Sequence, residues 1–152
     1  MGIWEWALAV YGQEGVSAAA LELQDAHGQN VPFLLWAVYA EAGDPDRLAQ
    51  AADLARRWES AAVKPLRAAR RALKPPLLGV AEADREDLRE TVKAAELRAE
   101  RILLEALDRQ AGGSRDGAST LEALKAAARA WGAPAPETAL AALAGALRQA
   151  GA

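Results

Sequence analysis

Apolar residues recur along the chain at spacings of three and four, which places them on one face of an α-helix. Alanine and leucine are plentiful while β-branched residues are scarce, and this balance also favours helices over strands. We therefore expect an all-α fold, a compact bundle of seven or eight helices. The pattern predicts helices at about 3–12, 16–27, 31–42, 44–62, 65–73, 81–110, 120–131 and 137–149.

The length of 152 residues suits a single helical domain with a sizeable core, so we expect one domain over 1–152. Within it we distinguish an N-terminal core at 1–75, a long helix near 81–110, and a C-terminal helical hairpin at 119–150. The sequence KPPLLGV at 74–80 is the clearest interruption of the helical pattern, because its two prolines cannot lie inside a helix. The hairpin is alanine-rich, and we expect it to be the least stable part because burying alanine contributes little.

The segment between the second and third helices leaves two cap assignments open. Gly28 is expected to end the second helix in the left-handed conformation. If Asn30 is the N-cap, its side chain accepts a hydrogen bond from Phe33, because Pro32 has no N–H to offer. If Pro32 instead takes the first helical position, Val31 becomes the cap and Asn30 lies outside the helix.

The long helix carries apolar residues at alternating spacings of four and three, which predicts a buried heptad-like seam. This seam consists of Leu88, Val92, Ala95, Ala99, Ile102 and Ala106. Acidic residues are abundant on the same helix, but no Glu-x-x-His pair exists because His27 is the one histidine of the chain. The chain also contains no cysteine. We therefore expect neither a metal site nor a cofactor.

Charge is distributed unevenly along the chain, although the net charge is only −3. Residues 1–43 contain five acids and no Lys or Arg, while residues 44–75 contain eight bases and four acids. A basic stripe is the candidate anion-binding site; it consists of Lys64, Arg67, Arg70, Arg71 and Lys74. The acidic total and the absence of interleaved aromatic residues argue against nucleic acid, so we favour a solvated face or ion pairs within the protein.

A cluster of polar and aromatic residues in the first quarter of the chain is the candidate ligand or partner site. It consists of Trp4, Trp6, Tyr11, Gln24, Asp25, His27, Asn30 and Trp36. Trp4 and Trp6 differ by about 200° around a helix, so one core cannot easily accommodate both rings. We expect one of them to face a partner, a second subunit or a groove.

Catalysis by the same cluster has less support. His27 beside Asp25 could act as a general base, but the nearest hydroxyl groups in sequence are those of Ser17 and Tyr39. The favoured interpretation is that Gln24, His27 and Asn30 satisfy backbone groups at the helix ends. Whether the chain is an enzyme stays open, with a non-enzyme favoured and no catalytic residue assigned.

The sequences WEWALAVY at 4–11 and LQDAHGQNVPFLLWAVYA at 23–40 resemble a family of small proteobacterial proteins of unknown function. The residues that carry the resemblance are Trp6, Ala7, Tyr11, Leu23, Gln24, Asp25, Gly28, Asn30, Val31, Leu34, Leu35 and Trp36. The resemblance covers about the first half of the chain. It implies no activity, because none is established for the family.

The N-terminus lacks a basic region and places Glu5 inside its short apolar run, so we expect no signal peptide and no membrane span. A cytoplasmic, bacterial protein is the expectation. We interpret it as a non-catalytic interaction or regulatory module that binds another protein or forms a homodimer. One alternative is a small-molecule site around Gln24, Asp25, His27 and Asn30. A second alternative is anion or nucleic-acid binding through the basic stripe.

Overall fold

The computed structural model describes residues 1–151 and contains, within that range, helices and no strands. The helices are α1 (Ile3–Tyr11), α2 (Glu14–His27), α3 (Val31–Tyr39), α4 (Pro45–Trp58), α5 (Lys64–Ala72), α6 (Glu82–Ala111), α7 (Thr120–Trp131) and α8 (Glu137–Gln149). A π-helical turn (Glu59–Val63) joins α4 to α5. The predicted all-α fold is confirmed. None of the described helices combines the length and the apolar character needed to cross a bilayer.

Helix α3 forms the centre of the bundle. Eight of its nine residues, from Val31 to Val38, are buried. The helix packs against α1, α2, α4, α6 and α7. Its sequence contains no charged residue, so burying every face removes apolar surface from water without desolvating a charge.

The C-terminal hairpin closes the bundle, with α7 lying on α3 and α4 and α8 lying on α2. Four fully or almost fully buried leucines anchor it; they are Leu124, Leu140, Leu143 and Leu147. Its small residues allow close approach, since a Cβ placed on Gly15 would lie 3.6 Å from the Cβ of Ala146. The hairpin therefore contributes both large and small side chains to the common core.

The buried face of α6 differs from the predicted seam. Leu88 and Ile102 are 52% and 36% exposed. Ala99 of the predicted seam is buried, but the residues buried beside it are Glu96, Leu103, Leu104 and Leu107, which the seam does not include. Within residues 96–107, three leucines bury more apolar surface than the seam residues Ala99, Ile102 and Ala106 would, and this difference accounts for the rotation of the helix.

Helix α3 ends at Tyr39, three residues before its predicted end, and Glu41 adopts a left-handed φ of 48°. The Ala42 nitrogen donates to the carbonyl of Ala37 at 2.8 Å, which closes the end of the helix locally, and a distant residue fixes the segment that follows. The carboxylate of Asp116 accepts hydrogen bonds from the backbone nitrogens of Gly43 and Asp44 at 2.8 and 2.9 Å. These contacts hold residues 41–44 in an irregular turn that the local sequence does not predict.

The predicted break at Pro65 takes the form of the π-helical turn that directly precedes it. Proline has no N–H to donate, and its ring would clash with the carbonyl four residues earlier in a regular α-helix. A wider π-turn relieves that clash without ending the helix. The chain therefore continues from α4 into α5 as one rod.

Residues 64–95 form a helical hairpin, which we call the arm. Helix α5 contains no buried residue and packs against α6 and the π-turn. Between residues 82 and 95 of α6, only Arg85 is buried. The arm is thus more exposed than the rest of the protein, and residues 73–81 form its tip.

Candidate functional site

A pocket lies among α1, α2, α3 and α6, and we call it the Trp4 pocket. Its volume is about 90 Å³. It is lined by Trp4, Ala7, Leu8, Tyr11, Gln24, Val31, Pro32, Leu35, Leu97, Glu100 and Leu104. Two sequence patterns produce it, because Trp4, Leu8 and Tyr11 share one stripe of α1 while residues 97, 100 and 104 share one stripe of α6.

The mouth of the Trp4 pocket is apolar and exposed. Leu8, Tyr11 and Leu97 surround it and are 51%, 36% and 50% exposed. The floor is buried and consists of Ala7, Val31, Pro32, Leu35 and Leu104. Exposed apolar side chains around a concave apolar floor are typical of a binding surface.

A carboxyl group lies in the wall of this pocket. The pKa of Glu100 is raised to about 7, first by burial and then by the neighbouring negative charge of Glu96, although Arg67 and Arg70 oppose the shift. Burial also raises the pKa of the Tyr11 hydroxyl, and the charges of Glu100 and Asp25 raise it further. Near neutral pH the Glu100 carboxyl can therefore either donate or accept a hydrogen bond.

Behind the pocket, a charged network joins α5 to α6. The buried carboxylate of Glu96 accepts hydrogen bonds from Arg67 at 3.1 Å and from Arg70 at 2.6 Å. Burial pushes the pKa of Glu96 upward, but the hydrogen bonds from Arg70 and Arg67 outweigh it, so the pKa lies below its usual value. The guanidinium of Arg67 also donates to the side-chain oxygen of Gln24 at 3.4 Å, and Gln24 lines the pocket.

The predicted basic stripe is therefore divided. Arg67 and Arg70 face Glu96, and Lys64 lies 3.8 Å from a carboxylate oxygen of Glu59. Arg71 and Lys74 make no ion pair with any residue in 1–151. The stripe thus contributes two side chains to an internal network and leaves two cations free near the tip of the arm.

At the turn between α2 and α3, the structure decides between the two cap assignments. Asn30 is the N-cap, since its side-chain oxygen accepts a hydrogen bond from the Phe33 nitrogen at 2.9 Å. Its side-chain nitrogen donates to Glu59 at 3.3 Å. Gly28 ends α2 with a left-handed φ of 63°, as predicted.

Gln29 is the most buried polar residue of this turn, with 2% of its surface exposed. Its side-chain nitrogen donates to the carbonyl oxygen of Ala133 at 3.0 Å. Its side-chain oxygen has no hydrogen-bond partner within residues 1–151. Sequence reasoning did not single out Gln29, although a glutamine beside an N-cap asparagine was the available signal.

His27 and Asp25 lie apart from the Trp4 pocket, and neither lines it. His27 is half-buried, while Asp25 is exposed and accepts a hydrogen bond from Gln24 at 3.4 Å. No group of three or more potential metal-ligating side chains occurs within the described range 1–151. The two residues thus do not share a cleft with a nucleophile.

The five tryptophans have different environments. Trp36 is 1% exposed and stacks on Phe33, so it belongs to the core. Trp6 is half-buried and packs against Tyr39 with ring centroids 5.3 Å apart. Trp4 lines the pocket, and the guanidinium of Arg101 lies 5.6 Å from its ring centroid. Of the candidate residues from the sequence, the pocket therefore unites Trp4, Tyr11 and Gln24.

The remaining two tryptophans bond to backbone. Trp58 donates to the carbonyl of Ala99, and Trp131 donates to the carbonyl of Gly28, both at 2.8 Å. Each bond joins two helical segments that are distant in sequence. These indoles therefore act as structural hydrogen-bond donors.

A second concavity, the polar cleft, lies beside the α2–α3 turn and has a volume of about 390 Å³. It is lined by Gln24, Gly28, Gln29, Arg56, Glu59, Ser60, Lys64, Arg67 and Trp131. Its cations already have partners in the protein. Arg56 donates to the carbonyl oxygens of Ala130 and Trp131, which are orphan acceptors at the end of α7.

Sequence reasoning missed most of the residues that line the Trp4 pocket, because only Trp4, Tyr11 and Gln24 were candidates. Leu97 and Glu100 are two of the residues that it missed. They lie three apart on α6 and therefore share a face. The same helix offers a second apolar stripe through Leu88 and Ile102, and periodicity alone cannot say which stripe is buried. The spacing of Leu97 and Glu100 is visible in the sequence, but only the position of α1 shows that this stripe of α6 lines a pocket.

The chain matches a family model described as "Protein of unknown function (DUF2390)" over residues 2–107. The chain belongs to this family. The DUF2390 match extends beyond the first half of the chain, which the resemblance covered, and reaches into α6. No curated protein and no solved structure matches the chain.

The DUF2390 region contains every residue that lines the Trp4 pocket. Two hydrogen-bond partners of the α2–α3 turn, Trp131 and Ala133, lie outside it, whereas Glu59, the partner of Asn30, lies inside it. The pocket can thus be a property of the family region, whereas the turn depends on the C-terminal hairpin of this chain.

Proposed function

We propose that this DUF2390 protein is a non-catalytic, cytoplasmic interaction module of a bacterium. Its Trp4 pocket accepts one apolar side chain from a partner protein. The exposed ring of Leu8, Tyr11 and Leu97 around a buried apolar floor is the observation that carries this proposal. Binding hot spots have this arrangement, in which a large side chain enters a pocket whose rim excludes water.

The size of the pocket supports a side chain over a metabolite. Sites for small molecules commonly enclose about 300–1,000 Å³. A dry apolar cavity of about 150 Å³ holds one benzene molecule. The 90 Å³ of the Trp4 pocket suits a smaller group, such as the branched four-carbon side chain of leucine.

The charges around the pocket favour a partner segment with a cation beside its apolar residue. The charges of Glu100 and Asp25 act on Tyr11 at the pocket mouth. Two cations offset part of this charge, because Arg67 lies 3.9 Å from the Glu100 carboxylate and Arg101 packs over the Trp4 ring. Residues 1–43, which supply α1 and α2, contain no Lys or Arg. A basic segment would therefore be attracted to this face, and complementary charge steers association.

The alternatives from the sequence have less support. An enzyme centred on His27 and Asp25 would need them in a common cleft, and neither lines the Trp4 pocket or the polar cleft. Anion binding in the polar cleft would have to displace Arg56 from two carbonyl oxygens and Arg67 from Glu96. Leaving the partly buried acceptors of Trp131 and Glu96 unpaired is costly.

Site-specific photo-crosslinking tests the proposal. A benzophenone amino acid is placed at Leu97 in the pocket mouth, and the matched control carries it at Ile102 on the same helix. The two positions differ by about 140° around α6. We expect an adduct in native cells from position 97 and none from position 102. Adding Leu8→Asp, which makes the mouth polar, should remove the adduct from position 97.

Two results would contradict the proposal. One is the absence of any adduct from position 97, which would mean that nothing occupies the pocket. The other is an equal yield from positions 97 and 102, which would mean that the reagent labels any exposed surface of α6.

A further inference from the structure

We propose that the occupant of the Trp4 pocket is Leu78 from the arm of a second copy of this chain, with the two copies exchanging arms reciprocally. This inference rests on the proposed function, because it names the partner of the same pocket. Two apolar surfaces of the chain that stay exposed to solvent support this proposal. One is an apolar pocket with an exposed mouth, and the other is an exposed apolar tip.

The tip of the arm presents three large apolar residues to solvent. Leu77, Leu78 and Val80 are 64%, 103% and 43% exposed. The Val80 nitrogen donates to the Leu77 carbonyl at 3.1 Å, which closes a four-residue turn. Gly79 has a φ of 89°, a value suited to glycine at the third position of such a turn. Leu78 therefore projects from the corner of the turn.

The tip is held in place, so Leu78 is presented on a rigid support. The guanidinium of Arg85 donates to the carbonyl oxygens of Leu73 and Lys74 at 2.6 and 2.9 Å. It also pairs with Glu82 and Glu86, each at 2.7 Å. Arg85 is only 6% exposed. A contact surface that is already ordered loses less conformational freedom when it binds.

The tip cannot fill the pocket of its own chain. Helix α6 begins at Glu82, directly after the tip, while its pocket residues are Leu97, Glu100 and Leu104. Fifteen to 22 residues separate these points, which corresponds to roughly 22–33 Å along a straight helix. Leu78 must therefore reach the pocket of another molecule.

Tip and pocket are complementary in size and in charge. The side chain of leucine has four carbons, and the pocket has a volume of about 90 Å³. Arg71 and Lys74, beside the tip, form no ion pair with any residue in the described range. The carboxyl of Glu100 lies in the pocket wall, and residues 1–43, which supply α1 and α2, contain five acids and no Lys or Arg. Each copy thus offers an apolar tip and two cations that can meet the acidic face of α1 and α2.

Symmetry decides the form of the assembly. A single insertion would leave one free tip and one free pocket, so further copies would add head to tail and form a ring or an open filament. Two reciprocal insertions form an isologous pair and use all tips and pockets. We therefore expect a closed dimer with two equivalent contacts.

Sedimentation velocity of the purified chain over a wide concentration range tests this inference. Leu78→Asp removes the tip contact, and Leu97→Asp or Leu8→Asp removes the pocket contact. Leu21→Asp on α2 is the matched control, because Leu21 is also exposed but lies outside both features. Circular dichroism verifies the fold of each variant, since all four positions are exposed.

We expect the wild type and Leu21→Asp to form dimers. Leu78→Asp and Leu97→Asp should each weaken dimerisation by about 30-fold or more, the loss expected for a hot-spot residue. Mixing the two defective variants should restore part of the dimer. In the mixture, the intact tip of the Leu97→Asp chain can still enter the intact pocket of the Leu78→Asp chain.

A wild type that stays monomeric would overturn the inference, as would dimers that persist in both variants or a mixture that restores nothing. An assembly that grows beyond the dimer would also overturn it. The proposed function can hold even when the self-association is wrong. If the crosslink from position 97 joins a different protein, the pocket is still a docking site and only self-association is wrong.

Discussion

The side-chain nitrogen of Gln29 donates a hydrogen bond to the carbonyl oxygen of Ala133 at 3.0 Å, across 104 residues of sequence. This bond joins the α2–α3 turn, which lies in the family region, to the loop between α7 and α8. Trp131 reinforces the same junction by donating to Gly28. The C-terminal hairpin therefore supports the turn that positions α3 at the centre of the bundle.

Substituting Gln29 should destabilise the protein through this junction. Gln29→Ala removes the donor and leaves the Ala133 carbonyl without its partner, which should lower the free energy of unfolding by about 1–3 kcal/mol. Urea denaturation measures the change. Gln13→Ala, at an exposed residue before α2, is the control and should change stability by less than about 0.5 kcal/mol. Equal losses in the two variants would show that the bond to Ala133 contributes little.

The C-terminal hairpin should unfold together with the rest of the bundle. Leu143 is fully buried in α8, and Leu143→Ala should lower the free energy of unfolding by about 2–5 kcal/mol. Chemical denaturation followed by both circular dichroism and tryptophan fluorescence measures this. Since Trp131 lies in the hairpin and Trp36 in the central helix, a common core predicts coincident transitions. A separate early transition would mean that the hairpin is an independent, weaker unit.

Much of the secondary structure could be predicted from the sequence, because its signals are local. The predicted ranges 120–131 and 137–149 coincide with α7 and α8. The end of α3 could not be predicted from local signals. Glu41 adopts there a left-handed φ that favours glycine, and the next turn is fixed by Asp116, which lies 73 residues from Gly43 and accepts a hydrogen bond from its backbone nitrogen.

The candidate site could be predicted only in part, for a related reason. The stripe of Trp4, Leu8 and Tyr11 is visible in the sequence, since it follows helical spacing within α1. The opposite wall is not, because α6 has more than one apolar stripe and the face that meets α1 depends on tertiary packing. His27 attracted attention by its chemistry, yet the carboxyl that enters the pocket belongs to Glu100.

The N-cap at Asn30 provides a prediction that separates two of its contacts. Asn30→Ala removes both the cap and the bond to Glu59, and it should cost about 1–2 kcal/mol. Asn30→Asp keeps the oxygen that accepts from Phe33 but places a carboxylate against Glu59. Thermal unfolding should therefore show Asn30→Asp to be destabilised at pH 7 and to recover as the pH falls and the carboxylates are protonated. If Asn30→Asp is as stable as the wild type at pH 7, the contact with Glu59 is unimportant.

The carboxyl of Glu100 makes the stability of the protein depend on pH, and a single substitution isolates its contribution. Its pKa is raised from the ordinary value of 4.5 to about 7, so the folded protein holds a proton that the unfolded chain releases. Stability from this group should therefore fall as the pH rises from about 4.5 to 7 and stay at the lower level above 7. Glu100→Gln removes the charge. The free energy of unfolding of this variant should match that of the wild type near pH 4.5 and exceed it by about 2 kcal/mol at pH 8, an amount reduced for partial exposure.

The control is Glu105→Gln on the same helix. The Glu105 carboxylate pairs with Arg101 at the surface, so this substitution should leave the shape of the pH profile of stability unchanged. Urea denaturation at several pH values measures the difference, and a constant offset between Glu100→Gln and the wild type at every pH would show that Glu100 is charged throughout. Because Glu100 lines the Trp4 pocket, a cationic group bound there should favour the ionised carboxylate and so remove part of this pH dependence.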